Sequence, residues 1–323
     1  MEIKRDQYLN KLIRKKHNGL IKVVTGVRRC GKSYLLFNLF HNHLLDSGID
    51  DNHIIEVALD DRSNKELRNP DNMLRYVKER ITDHEQYYII LDEVQLLEEF
   101  EDVLNSFLHI RNADIYVTGS NSKFLSSDVI TEFRGRGDEI RVYPLSFREF
   151  LSVYDGSQDE AWDDYFNYGG LPLVLSMDTV EDKVEYLNTL FQKVYLSDIV
   201  ERNKVRNKEE LDELVDVLAS AIGSLTNPTK LAKTIKSVKN KSISDKTLKT
   251  YIDYLEDAFL ISKAKRYDIK GKRYIGSPAK YYFEDVGLRN ARLNFRQLEA
   301  THIMENIIFN ELRVRGYKID GGI

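Results

Sequence analysis

The 323-residue sequence holds a single cysteine, Cys30. One cysteine excludes an internal disulfide and any multi-cysteine zinc site. No apolar run approaches the roughly 20 residues that a membrane-spanning helix needs, so no membrane partner is expected. The opening residues MEIKRDQYLNKL do not read as a signal peptide. Together these absences set a cytoplasmic location as the expectation. The net charge is only −4, which excludes a bulk polycation, so any nucleic-acid surface has to be local. The seven histidines show no metal-ligand spacing beyond His41-x-His43, which is read as solvated helix positions. There is no low-complexity tract and no internal repeat. What remains is a globular mix, 42% hydrophobic and 31% charged, with ample material for a core. The length suggests two or three domains.

Against that background one stretch stands out. Gly26-Val27-Arg28-Arg29-Cys30-Gly31-Lys32-Ser33 reads G-x-x-x-x-G-K-S, the phosphate-binding loop of P-loop NTPases. An apolar, β-branched run at 20–25 predicts a buried strand entering the loop, and residues 33–45 have the length and apolar spacing of a helix leaving it. Such a strand–loop–helix aims backbone N–H groups and a helix N-terminus at bound phosphate. Gly26 and Gly31 allow the tight turns and the close approach. Lys32 is expected to reach the β- and γ-phosphates of ATP and Ser33 to hold Mg²⁺. The ATP-binding set extends from Gly26 to Tyr34.

From residue 20 to about 145, strands alternate with helices. Strands are expected at 53–59, 87–91, 113–118 and 139–142, and helices at 6–16, 70–82 and 96–109. This predicts an α/β fold, a parallel sheet with helices on both faces and a ligand at the C-terminal ends of the strands. From Phe147 the pattern turns helical, with helices at 147–154, 161–168, 180–199 and 208–223. Then come a short helix at 229–235, a turn, and a helix at 244–257 with Ser244 as N-cap. Two short strands, 261–267 and 274–283, follow. Helix, turn, helix and β-ribbon in this order is a winged helix-turn-helix pattern.

The strand at 87–91 runs into Asp92 and Glu93. After a P-loop, the first acid supports Mg²⁺ together with Ser33. The second, Glu93, polarises the attacking water as general base. The fourth strand ends at Thr118-Gly119-Ser120-Asn121, where Ser120 or Asn121 is expected to sense the γ-phosphate. Arg134-Gly135-Arg136 lies in a loop before the fifth strand. Arg136 supplied to a neighbouring copy would act as an arginine finger, which requires a homo-oligomer.

Between Pro228 and Lys280, fourteen lysines and arginines face five acids, a local excess of nine positive charges in an acidic chain. On a winged helix, Lys246 and Lys249 would lie on the groove-entering helix, and Lys270, Lys272 and Arg273 on the wing. Double-stranded DNA is the expected partner, and a protein partner is the alternative, because winged helices also serve as protein-interaction modules.

These residues resemble a known family. GVRRCGKS (26–33), IILDEVQ (89–95), VTGSNS (117–122), Gly135-Arg136, PLSFREF (144–150), YGGLP (168–172), YYFEDVGL (281–288) and Glu305-Asn306 resemble the prokaryotic AAA+-type ATPases. In that family the C-terminal half is a domain of unknown function with a winged helix and a nuclease-like fold. The resemblance covers essentially the whole chain. It implies an ATPase core over 1–146, a helical lid over 147–205 with GGLP at its centre, and a winged-helix domain over 206–290. It also implies the start of a restriction-nuclease-like domain over 291–323, in which Glu305 matches the helical acid and the remaining metal-binding residues lie beyond Ile323. The expected function is a Mg²⁺-dependent ATPase, slow or partner-stimulated, associated with DNA. The alternative is an ATP-driven conformational switch whose winged helix binds a protein. A small-molecule kinase is disfavoured by the Asp-Glu pair and by the long helical C-terminal half.

Overall fold

Each apolar run preceding a motif becomes a buried strand in the computed structural model, which describes residues 3–119, 135–239, 241–265, 278–296 and 299–320. The chain divides into two compact units, Glu2–Val142 and Tyr143–Ile323.

The first unit is built on five parallel strands, β1 (Ile21–Thr25), β2 (Ile54–Ala58), β3 (Tyr87–Asp92), β4 (Ala113–Gly119) and β5 (Gly137–Arg141), in the order β2-β3-β4-β1-β5. β1 and β3 are buried along their whole length, as a parallel sheet covered on both faces requires. Side chains alternate between the two faces of a strand. On one face Val23, Ile55, Val57, Ile89, Leu91, Ile115 and Val117 pack with Met73 and Val77 of the helix Pro70–Arg80. Val103, Leu104 and Phe107 of the helix Phe100–Phe107 complete that core. The alternate residues, among them Asp92 and Thr118, share the other face with Tyr88 and Tyr116, whose rings meet Phe40 of the P-loop helix. Strand periodicity thus assigns Asp92 and Thr118 to the side where Ser33 stands.

The P-loop helix runs through Lys32–Tyr34, Leu35–Phe40 and His41–Asp46, and its middle segment is π-helical. Within the sheet, Lys22 of β1 is fully buried and paired with Asp114 of β4. Tyr116 donates to the same carboxylate at 2.8 Å. Burial pushes the Lys22 ammonium below its usual range, and Asp114 pulls it back. His41 is engaged by Glu56 at 3.0 Å, and no group of metal-ligating side chains occurs among the described residues. No described helix is long and apolar enough to cross a membrane.

One expected helix is divided. In place of 96–109 the chain forms a 3₁₀ turn, Val94–Leu96, and then the helix Phe100–Phe107. Val94 and Leu97, three apart, both enter the core, which suits one 3₁₀ turn. Glu99, in the left-handed region, then restarts the helix.

The second unit opens with two capping boxes. Ser146 caps Phe147–Leu151 with Glu149, and Ser157 caps Gln158–Tyr168 with Glu160. The serine and glutamate of PLSFREF are therefore a helix start. A long helix follows through Val180–Thr189, Leu190–Leu196 and Ser197–Arg202, then Lys208–Ser220. Next come Pro228–Lys239, one turn longer than its apolar spacing suggested, and Asp245–Asp257, with Ser244 as N-cap accepting from Thr247 N at 3.1 Å. β6 (Ile261–Lys265) and β7 (Ala279–Phe283) form an antiparallel pair. Of the expected second strand, 274–283, the part from Ala279 to Phe283 is seen, and 274–277 lie outside the described residues.

Two blocks of the sequence meet in this unit. Asp285 caps the helix Val286–Arg292 and also accepts from Gly170 N at 2.7 Å. Gly287 lies so close to the Tyr168 carbonyl that a Cβ there would come within 1.9 Å of the oxygen. Asn290 Nδ2 donates to the Asn167 carbonyl at 2.9 Å. YGGLP and YYFEDVGL are two halves of one knot. The helix Ala300–Val314 lies against β7, where the Asn306 amide both donates to and accepts from the Phe283 backbone at 2.8 Å. Glu305 is held by Lys280 Nζ at 2.6 Å and Tyr282 Oη at 2.8 Å. Residues 317–320 contain no strand, so the strand expected after this helix is not present among the described residues.

Candidate nucleotide-binding site

β1 delivers the chain to Gly26, whose φ is +144° and whose missing Cβ would sit 2.1 Å from the Val142 carbonyl oxygen. Only glycine fits there. The loop turns through Val27, Arg28, Arg29 and Cys30 to Gly31, which caps the P-loop helix in the left-handed conformation. Lys32 is buried and donates to the carbonyls of Gly26 and Val27 at 3.1 and 3.2 Å, so its ammonium is pinned inside the loop it follows. Cys30 is fully buried beneath the loop, with its thiol 3.6 Å from the Val142 carbonyl oxygen. Arg28 is half-buried, Arg29 is exposed, and Tyr34 begins the helix's partly buried side.

The strand order sets the rest. β4 lies between β1 and β3, so the end of β4 separates the P-loop from Asp92. Thr118 fills that position. Its hydroxyl donates to one oxygen of Asp92 and accepts from Glu93 N at 2.9 Å. Ser33 Oγ donates to the other Asp92 oxygen at 2.7 Å. One carboxylate therefore gathers hydroxyls from the P-loop helix and from β4. Burial raises the Asp92 carboxyl above its usual range. The hydrogen bonds from Thr118 and Ser33 pull it back, the charge of Glu93 adds to the rise, and Lys32 opposes it. Glu93 itself has φ +52° and ψ +48°, an uncommon conformation for a non-glycine residue. Gln95 donates a hydrogen bond to its carboxylate.

Of the sequence candidates, Gly26 to Ser33, Asp92 and Glu93 come together at the C-terminal ends of the strands. Ser120 and Asn121 lie outside the described residues, as do Lys270, Lys272 and Arg273. Arg136 is exposed in the turn before β5, and its carbonyl accepts from Ile21 N at 2.8 Å. That is the opening end of β1, so Arg136 is remote from the P-loop of its own chain. Lys246 and Lys249 are exposed on Asp245–Asp257.

Sequence reading missed Thr118 and Gln95. Thr118 carried a signal, since a hydroxyl inside a fully buried strand must find a partner. Gln95 stands at the end of the IILDEVQ motif, but its contact with Glu93 depends on the 3₁₀ turn and could not be read from the sequence.

A family model described as an AAA domain matches residues 18–151. An uncharacterized protein of Haemophilus influenzae is 36% identical over 99% of this chain and 81% of its own length. The chain belongs to the AAA+ family of P-loop ATPases. A second model, a domain of unknown function (DUF8612), matches residues 159–299 of this AAA+ chain. The uncharacterized protein MJ1544 of Methanocaldococcus jannaschii is 29% identical over 92% of the chain and 67% of its own length. Among solved structures, the Aeropyrum pernix ORC1 protein in complex with DNA aligns over 94% of each chain with 12% identity and a TM-score of 0.36.

Proposed function

We propose that this AAA+ protein binds Mg-ATP at the P-loop end of its sheet and hydrolyses it. The observation that carries the reading is the Ser33–Asp92–Thr118 arrangement, in which the P-loop hydroxyl meets the acid of β3 at 2.7 Å. Two oxygen donors of this kind suit a hard cation that keeps most of its waters. Ser33 and Asp92 would hold Mg²⁺, which would supply positive charge against the phosphates. Lys32 binds the phosphates, and the loop carbonyls it now holds are exchanged for phosphate oxygens. Glu93 takes the proton of the attacking water. Thr118 fixes the backbone of Glu93 and one oxygen of Asp92 together, so base and cation ligand keep one spacing. Ser120 or Asn121 senses the γ-phosphate. Arg136, remote from its own P-loop, completes the site of a neighbouring copy in a homo-oligomer. Residues 147–205 form a lid. Replacing Lys32 with Ala abolishes ATP binding, and Glu93→Gln retains binding while slowing hydrolysis a hundredfold or more.

The helix–helix–ribbon over 228–283 acts as a winged helix that meets double-stranded DNA, with Lys246 and Lys249 on phosphates. A specific observation also favours a protein partner. Lys241 is paired with Glu209 and Glu213, and Lys280 with Glu305, so part of the basic excess is consumed internally. The groove of about 550 Å³ beside Lys246 and Lys249 also carries Lys263 and Lys265, but Asp245, Asp253, Ile252 and Tyr281 line it too, a mixed surface suited to a peptide. ATP hydrolysis with and without duplex DNA, at low and moderate salt, separates the two. Stimulation that fades as salt rises supports DNA. Indifference to DNA, with no binding by Glu93→Gln at low salt, supports the protein-binding switch.

A further inference from the structure

Glu93 is placed by its backbone, but a glutamate side chain has three torsions and does not stay where its backbone is. Something must hold the carboxylate. The turn Val94–Leu96 brings Gln95 back beside it. That turn is rigid. Leu96 N donates to the Glu93 carbonyl and Leu97 N to the Val94 carbonyl, both at 3.0 Å, while Val94 and Leu97 are buried on either side of Gln95. Gln95 Nε2 donates to Glu93 Oε2. A carboxylate only accepts, so the amide must present its nitrogen to it. This leaves Gln95 Oε1 buried, with no hydrogen-bond partner among the described residues. An unsatisfied buried acceptor is destabilising, so the bond to Glu93 sets the orientation of the amide at the expense of its other end.

We propose that Gln95 is the positioning residue that holds the Glu93 carboxylate for proton abstraction. The proposal rests on the reading of Glu93 as general base. Gln95 acts through Glu93. It fixes the rotamer of the base.

The test is single-turnover ATP hydrolysis, with nucleotide affinity measured separately by a fluorescent ADP analogue. Gln95→Met keeps the length and volume of the side chain and removes the donor. It is expected to slow hydrolysis by about 10- to 100-fold with nucleotide affinity and thermal stability unchanged. Gln95→Glu puts an acceptor and a like charge where the donor stood, and is expected to slow hydrolysis at least as far. A Gln95→Met or Gln95→Glu protein that hydrolyses at the wild-type rate overturns the proposal while Glu93→Gln remains inactive. Normal hydrolysis by Glu93→Gln is a different failure: it removes the base itself, and the positioning role with it.

Discussion

Asp92 and Asp285 are both almost wholly buried, and burial raises the carboxyl of each above its ordinary range. Their partners differ. Asp92 is met by two hydroxyls, Ser33 and Thr118, on separate elements of the sheet unit. Asp285 is met by backbone N–H groups, from Gly170 at 2.7 Å and Leu288 at 3.1 Å. A hydroxyl can turn on its own bond and accept as well as donate. A backbone N–H can do neither. The Ser33 hydroxyl can thus turn toward the proposed cation while Thr118 keeps Asp92 and Glu93 together, whereas the N–H groups about Asp285 tie two chain segments together.

The largest effect expected from breaking this contrast is at Asp285. Asp285→Ala leaves the buried N–H groups of Gly170 and Leu288 without an acceptor, and each such orphan costs about 1–3 kcal/mol. Urea unfolding is expected to show the variant several kcal/mol less stable. A loss under about 1 kcal/mol would mean the knot is held by its close packing alone.

The next effect is on pH dependence. The Asp285 carboxyl is raised to about 6 from an ordinary 3.8, with burial as the main cause and the N–H groups opposing. Between those values the folded chain holds a proton that the unfolded chain has released. The stabilising contribution is therefore complete below the unfolded value and lost as pH rises through about 6. The shift corresponds to about 3 kcal/mol. Asp285→Asn does not titrate, so the difference in unfolding free energy between wild type and variant should slope between pH 4 and 6 and flatten above. A difference that is level with pH would place the raised value elsewhere.

At the other carboxylate the test is Thr118→Val, which keeps the shape and removes the hydroxyl. Glu93 N and one oxygen of Asp92 lose their partner. Hydrolysis should fall by about 10- to 100-fold, with a stability loss of about 1–3 kcal/mol and little change in ADP affinity. A variant that binds ADP as poorly as Lys32→Ala would make Thr118 part of the binding loop instead.

These residues also mark where the sequence was legible. The P-loop and the Asp92-Glu93 pair were readable because their spacing is local and the strands around them are continuous apolar runs. Strand periodicity even assigns Asp92 to the face of Ser33. The division of 96–109 was not readable, since it turns on Glu93 and Glu99 adopting left-handed backbone, which no apolar pattern announces. Nor was the knot. GGLP and the block at 281–288 are more than a hundred residues apart, and only the fold shows that Asp285 caps one and binds the other. The remoteness of Arg136 from its own P-loop likewise required the sheet register.

The smallest effect is expected at Cys30, inside the P-loop. In the proposed reading the loop's N–H groups and Lys32 face the phosphates, whereas Cys30 is fully buried, with its carbonyl accepting from Arg5 at 3.3 Å. A thiol so placed packs as a small apolar group and is closed to reagents until the loop opens. Native protein should therefore leave Cys30 unmodified by an aromatic disulfide reagent for many minutes, and denaturant should release one full equivalent. Cys30→Ala should cost about 1 kcal/mol of stability and change nucleotide affinity less than about twofold, because a buried methyl replaces a buried thiol and the phosphate side keeps every donor. Rapid labelling slowed by ADP would reverse this assignment: the thiol would then lie on the nucleotide side, and the loop would be opening as readily as the hydroxyls around Asp92 rearrange.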